Sequence, residues 1–156
     1  MTSTFTVAVL GAGTMGRGIA QSAATSGCTV RLFDTSAEAV EAGRDAIDGA
    51  LAKLVEKGKL PGREADLVLA RIETATDRAA SVQDADVVVE AAPEKLELKR
   101  TLFAALAREA PPHALLGSNT SSLSIAQIAE GCGAEERVIG LHFFNPVPVM
   151  ALLEVV

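Results

Sequence analysis

A chain of 156 residues, 49% hydrophobic and 22% charged, has the composition of an ordinary globular domain and enough length to bury a sizeable core. No apolar run approaches the ~18 residues of a membrane-spanning helix, and a formal net charge of −6 without a basic cluster disfavours nucleic acid and anionic lipid as partners. The start MTSTFTVAVL lacks the basic and long apolar stretches of a secretory signal, so a cytoplasmic protein is expected.

The apolar run from Phe5 to Leu10 reads as a strand, followed by a glycine-rich turn and a small-residue helix from Met15 to Ser26. Thr29 to Phe33 is a second strand, and connections this short imply parallel strands with a right-handed crossover. Two cysteines, Cys28 and Cys132, show neither metal spacing nor a C-x-x-C, which fits free thiols in a reducing compartment better than a disulfide. From Ala37 to Lys57, Val40, Ile47, Leu51 and Leu54 recur at helical spacing, while Glu41, Arg44, Asp48 and Lys53 take the other face. Gly58 and Pro61-Gly62 end that helix.

A shorter helix is predicted over Glu64 to Ala70 and a brief strand over Ile72 to Thr76. DVVVEA, residues 86–91, is a continuous apolar run with one acid near its end, the pattern of an interior parallel strand. Pro93 opens a helix from Glu94 to about Glu109, with Leu98, Leu102 and Leu106 four apart. Ala114 to Ser118 reads as a strand, Ser124 to Glu130 as a short helix, and Val138 to Phe144 and Leu152 to Val156 as strands. Strand and helix alternate throughout one domain covering residues 1–156, which makes the class α/β.

The turn GAGTMGRG supplies Gly11, Gly13 and Gly16 in the G-x-G-x-x-G spacing, with Thr14 and Met15 at the start of the helix. The three glycines serve a tight turn, close approach to a pyrophosphate, and close helix-to-strand packing, and the helix start directs unpaired N–H groups at the phosphates. Such a triplet alone is only a glycine-rich turn. Here it follows a strand, opens a helix, and precedes an acid, Asp34, at the end of the second strand about twenty residues on. The expected architecture is therefore Rossmann-type: a doubly wound, mostly parallel sheet with helices on both faces, binding a dinucleotide. A carboxylate at Asp34 would accept hydrogen bonds from ribose hydroxyls and repel a 2′-phosphate, which favours NAD over NADP; the other reading of Asp34 is a helix N-cap.

Oxidation of an alcohol by a nicotinamide needs a base for the hydroxyl proton. Of two histidines, His113 looks like a loop residue in Pro111-Pro112-His113, whereas His142 sits near a strand end where an imidazole could take and return that proton. Taken alone, His142 also reads as a structural histidine bonded to backbone. Glu154, expected to be buried on a neighbouring strand, would orient the ring and stabilise an imidazolium. The hydroxyls of SNTSSLS, residues 118–124, could polarise a substrate oxygen, while Ser122 or Ser124 equally suits a helix cap.

Together GAGTMGRGIA, VVVEAAPEKLELKRTLF, SNTSSLSI and VIGLHFFNPVPVMALLEVV resemble the NAD-binding domain of the L-3-hydroxyacyl-CoA dehydrogenases, including the 3-hydroxybutyryl-CoA dehydrogenases, from about Val7 to Val156. The resemblance implies an NAD-dependent oxidoreductase that reversibly oxidises L-3-hydroxyacyl-CoA to 3-ketoacyl-CoA. It implies His142 as catalytic base, Glu154 as its partner, and Ser121 as the group that contacts the substrate's 3-oxygen. Asn145 would lie beside the nicotinamide, and Glu94 and Lys99 would contact the cofactor's ribose and its neighbours. Lys57 would help bind coenzyme A, a match resting on spacing alone, while a serine that assists it in some relatives falls on Ala50. No metal is implied. An all-helical domain that closes over the acyl-CoA and forms most of a homodimer interface is expected to be missing from this chain, which leaves a plain NAD-binding module with little or no turnover as the alternative.

Overall fold

The computed structural model describes residues 4–156. The run TVAVL forms β1 (Thr6–Leu10) with alternate residues committed to two different cores: Val7 and Val9 pack on one side of the strand, Ala8 and Leu10 on the other. A strand buried on both faces has no use for polar alternation, hence its apolar run. The elements that follow are α1 (Thr14–Thr25), β2 (Thr29–Phe33), α2 (Ala37–Glu56), α3 (Gly62–Ala70), β3 (Ile72–Ala75), α4 (Arg78–Val82) and β4 (Val87–Glu90). Then come α5 (Leu96–Glu109), β5 (Leu115–Ser118), α6 (Ile125–Ala129), a 3-10 turn at Glu135–Arg137, β6 (Val138–Phe143) and β7 (Leu153–Val155).

The strands lie in the order β3-β2-β1-β4-β5-β6-β7. Strands β1 to β6 are parallel, and the order reverses between β1 and β4, so the carboxyl ends of those two strands flank the crevice where doubly wound sheets bind ligands. One core holds Ile19, Val30, Ile47, Leu51 and Val68 under α1 to α3; the other holds Val88, Phe103, Leu106, Leu116 and Ile128 under α4 to α6. The α/β, doubly wound expectation stands.

Four local expectations change. The helix placed at Glu94 begins at Leu96, with Lys95 as its extended cap residue. The short α4 was not anticipated: RAASV has one turn and no apolar period to read, and it is capped by Asp77, which accepts from the Ala80 amide at 3.1 Å. Strand β7 runs antiparallel to β6, pairing His142 with Glu154 and Phe143 with Leu153. It has one neighbour only, so its residues are exposed and Glu154 is 59% exposed rather than buried. The cap of α2 is Ser36, which accepts from the Ala39 amide at 3.2 Å, so Asp34 is released from that duty.

Arg31 sits within β2 and pairs with Asp84 and Glu73. Cys28 and Cys132 are free, and burial pushes the Cys28 thiol up against the opposing pull of Arg71. Among the described residues no helix is long and apolar enough to cross a membrane, and no three His, Cys, Asp or Glu side chains gather to hold a metal ion.

Helix α4 is tied to α5 by Arg78, whose Nε and Nη2 donate to Glu109 at 2.8 and 2.8 Å. The Arg78 hydrogen bonds hold the Glu109 carboxyl below its ordinary value of 4.5, against the upward push of burial. A carboxyl lowered by folding stabilises fully above its unfolded value, and that contribution is lost as pH falls through the folded one. The melting temperature is therefore expected to decline as pH drops below about 4.5, and Glu109→Gln to flatten part of that decline. Superimposable melting-versus-pH curves for the two proteins would refute the assignment.

Candidate active site

The first half of the site is backbone. Gly11 has φ +107°, a conformation that side chains with a Cβ resist, and a Cβ there would meet the Ala91 carbonyl oxygen at 2.6 Å. Its amide donates to the Phe33 carbonyl at 2.8 Å, which draws the turn against the end of β2. Gly13 caps α1 without any side-chain bond to the helix amides, and a Cβ built on it would meet nothing within 4 Å. The helix start, with Thr14 exposed and Met15 half-buried, thus faces open space with unpaired N–H groups, which suits an anion. Asp34 Oδ2 accepts from the Ala12 amide at 3.0 Å and Oδ1 from the Ser36 amide at 3.2 Å. The carboxylate is held beside the turn, with lone pairs to spare for two ribose hydroxyls.

The second half lies past the ends of β4, β5 and β6, where a cleft of about 340 Å³ is lined by Met15, Glu94, Lys99, Ser121, His142 and Asn145, among others. His142 Nδ1 lies 3.1 Å from Glu154 Oε2, and the imidazole, 22% exposed, stacks at a tilt on Phe144 with ring centres 4.5 Å apart. With Nδ1 facing the carboxylate, Nε2 is the nitrogen left for proton exchange. The end of β6 is fixed to β5 by Asn119, whose Oδ1 accepts from the Phe143 amide at 2.9 Å. That bond sets where His142 leaves the sheet.

Ser121 is exposed at the cleft, and its amide points to Glu94 Oε2 at 3.4 Å. Thr120 Oγ1 donates to Glu94 Oε1 at 2.6 Å and accepts from the Leu123 amide at 3.0 Å, which holds the loop after β5 in shape. Ser124 caps α6 by accepting from the Gln127 amide at 3.3 Å, so the capping reading applies there. Burial pushes the Glu94 carboxyl up, but the Thr120 hydroxyl, the Lys99 ammonium and the Ser121 amide outweigh it and hold the group below the ordinary carboxylate range.

Sequence reasoning missed Glu90, and it offered the Ser118 and Thr120 hydroxyls to a substrate oxygen where they instead donate to Glu90 and Glu94. Glu90 is 0% exposed at the end of β4; its Oε1 accepts from Lys99 Nζ at 2.6 Å and the Ala92 amide at 2.7 Å, and its Oε2 from Ser118 Oγ at 2.6 Å. The signal was the lone acid of DVVVEA. Lys99 is itself 2% exposed and reaches Glu94 at 3.5 Å, so it is a buried link between two carboxylates that touches the cleft with little of its surface. Lys57 stands apart: it is the exposed C-terminal cap of α2 and does not line the cleft. His113 pairs with Asp86 at 3.2 Å on the surface, at the opposite end of β4 from the cleft.

Comparison with known proteins follows the same outline. Residues 6–156 match the family model described as 3-hydroxyacyl-CoA dehydrogenase, NAD binding domain. The chain is 52% identical over 151 residues to a 3-hydroxyadipyl-CoA dehydrogenase of Escherichia coli (strain K12), covering 97% of this chain and 32% of that protein. It is 46% identical over 150 residues to a probable 3-hydroxybutyryl-CoA dehydrogenase of Bacillus subtilis (strain 168), covering 96% of this chain and 52% of that one. The crystal structure of a 3-hydroxybutyryl-CoA dehydrogenase from Escherichia coli K12 superimposes with a TM-score of 0.95 at 50% identity, over 98% of this chain and 32% of the other. The chain thus spans between about a third and about half of the length of these relatives.

Proposed function

The chain belongs to the NAD-binding domain family of the 3-hydroxyacyl-CoA dehydrogenases, and from that premise we propose that it serves the reversible, NAD-dependent oxidation of L-3-hydroxyacyl-CoA to 3-ketoacyl-CoA, of the 3-hydroxybutyryl-CoA/acetoacetyl-CoA type. The observation that carries the proposal is the His142–Glu154 pair at 3.1 Å, on the same cleft as Ser121 and Asn145. In this reading the glycine turn and the start of α1 hold the pyrophosphate and Asp34 the adenosine ribose. Residues past the ends of β4, β5 and β6, Glu94, Ser121 and Asn145 among them, would hold the nicotinamide half. Bound NAD supplies the hydride acceptor.

The chain's own residues do the rest. His142 Nε2 takes the 3-hydroxyl proton as C3 loses its hydride, and Glu154 steadies the imidazolium that results. The Ser121 hydroxyl donates to the 3-oxygen, and Glu94, Lys99 and Asn145 frame the ribose and nicotinamide. Lys57, exposed at the end of α2 and outside the cleft lining, is kept as a coenzyme A contact. In the whole protein an all-helical domain would close over the acyl-CoA and carry a homodimer interface, in a cytoplasmic setting consistent with the free thiols.

A second reading, an NAD-binding module without turnover, is favoured by the exposure of Ser121, Asn145 and Glu154, which leaves the reacting centre open to water. Titrating the chain with NADH and assaying reduction of acetoacetyl-CoA separates the two: binding with turnover supports the enzyme, binding alone the module, and no binding excludes both. Asp34→Ser is expected to weaken NADH binding about 10- to 100-fold through loss of charge-assisted bonds, and to weaken NADPH binding far less. Equal loss for both cofactors, by calorimetry, would remove Asp34 from the ribose.

A further inference from the structure

Behind the cleft wall lies an ionic arrangement that the proposed proton and hydride chemistry does not use. Lys99 Nζ is 2.6 Å from Glu90 and 3.5 Å from Glu94, so one ammonium serves two carboxylates. Glu90 and Lys99 are 0% and 2% exposed, whereas Glu94 is 41% exposed and lines the cleft. Every oxygen of Glu90 is occupied, by Lys99, the Ala92 amide and Ser118, and no water-accessible surface remains to it. A carboxylate buried beside a single ammonium would be neutralised by it. Here the same ammonium is shared with Glu94, so the cluster retains one unit of negative charge, with two of its three members shut off from solvent and the third on the cleft wall. The other titratable group lining the cleft, His142, is already paired with Glu154.

Resting on the dinucleotide reading above, we propose that Glu90 is a positioning residue: with Lys99 and Glu94 it forms a triad of net charge −1 at the nicotinamide end of the cleft, which biases the site toward the oxidised, cationic cofactor over the neutral reduced one. Glu90 touches no ligand. It acts by fixing Lys99 and, through the Ser118 hydroxyl at 2.6 Å, the start of the loop that presents Ser121. Its position at the end of β4, next to the Ala91-Ala92 backbone that lines the cleft, puts the charge on the side of the switch point where the proposed reading would seat the nicotinamide half. Oxidised nicotinamide carries one positive charge and reduced nicotinamide none, so a fixed negative charge separates the two affinities while leaving the shared ribose, phosphate and adenine contacts untouched.

The ratio of the dissociation constants for NAD⁺ and NADH reads this directly, without turnover. In Glu90→Gln, which keeps the shape and removes the charge, the ratio Kd(NAD⁺)/Kd(NADH) is expected to rise about 3- to 30-fold, the range for a unit charge acting through an effective dielectric of about 20. Glu94→Gln is expected to move it in the same direction, because any ribose contact it loses is common to both forms and cancels in the ratio. Should Glu90→Gln fail to fold, by circular dichroism and thermal melting, the partly exposed Glu94→Gln decides the matter alone. An unchanged ratio in the folded variants, including equal weakening of both forms, overturns the triad and leaves the dinucleotide reading standing. Failure of the unsubstituted chain to bind either form overturns that reading and the triad with it.

Discussion

Replacing His142 with glutamine is expected to slow NADH-dependent reduction of acetoacetyl-CoA by about 10²- to 10⁴-fold, the usual cost of removing a general base and acid. The assay belongs in a form of the protein with measurable turnover. Glutamine preserves the size of the ring and a donor toward Glu154, which reaches Nδ1 at 3.1 Å, but has no group that takes and returns a proton near neutral pH. The loss should fall on kcat, with NADH affinity within about threefold, because His142 lines the cleft past β4 to β6 whereas the glycine turn lies in the other half of the site, outside that lining. A rate within about threefold of the unsubstituted protein would remove His142 from the chemistry. A large loss shared equally by NADH affinity would show that the substitution deforms the cofactor site instead.

The second large effect separates two glycines three residues apart. A Cβ on Gly16 would stand 1.6 Å from the Gly11 carbonyl oxygen, which is backbone and cannot swing away. Gly16→Ala must push α1 off β1, at a cost of roughly 3 kcal/mol or more, and should lower both the melting temperature and NADH binding. A Cβ on Gly13 meets nothing within 4 Å, and its φ of −73° suits any residue. Gly13→Val should therefore melt with the unsubstituted chain yet bind NADH about two orders of magnitude more weakly, since the side chain fills the space that the pyrophosphate needs and takes away its charge-assisted bonds. Tight NADH binding by folded Gly13→Val would place the phosphates elsewhere.

What could be read from the residues follows the range of the interactions involved. The glycine turn and Asp34 are legible because a turn, a helix start and a strand end are local, and their meaning lies in spacing. The long elements are legible because apolar period and length agree: β2 is found at Thr29–Phe33 as predicted, and α2 differs from its prediction by one residue. Helix α4 is not, because one turn carries no period. Glu154 was rightly paired with His142 but wrongly expected to be buried, since apolar neighbours such as Leu152, Leu153 and Val155 do not reveal whether a strand has one partner or two. Glu90 was least legible. Its partners Lys99 and Ser118 lie nine and 28 positions away on a helix and a different strand, and an acid closing an apolar run reads simply as a strand end.

The antiparallel pairing of β7 with β6 carries one more consequence, which concerns counting rather than chemistry. His142 and Glu154 are register partners, directly opposite each other across the two strands. Their meeting is therefore written into the alignment of two backbones, and the intervening FNPVPVMAL may vary in length or composition as long as that alignment holds. A slip of one position would turn Glu154 to the other face of the sheet, and a slip of two would carry it roughly 7 Å along the strand, in either case out of reach of the ring. Insertions between Phe144 and Leu152 thus divide into those that the loop absorbs and those that the ladder must absorb, and only the second kind separates the acid from the base.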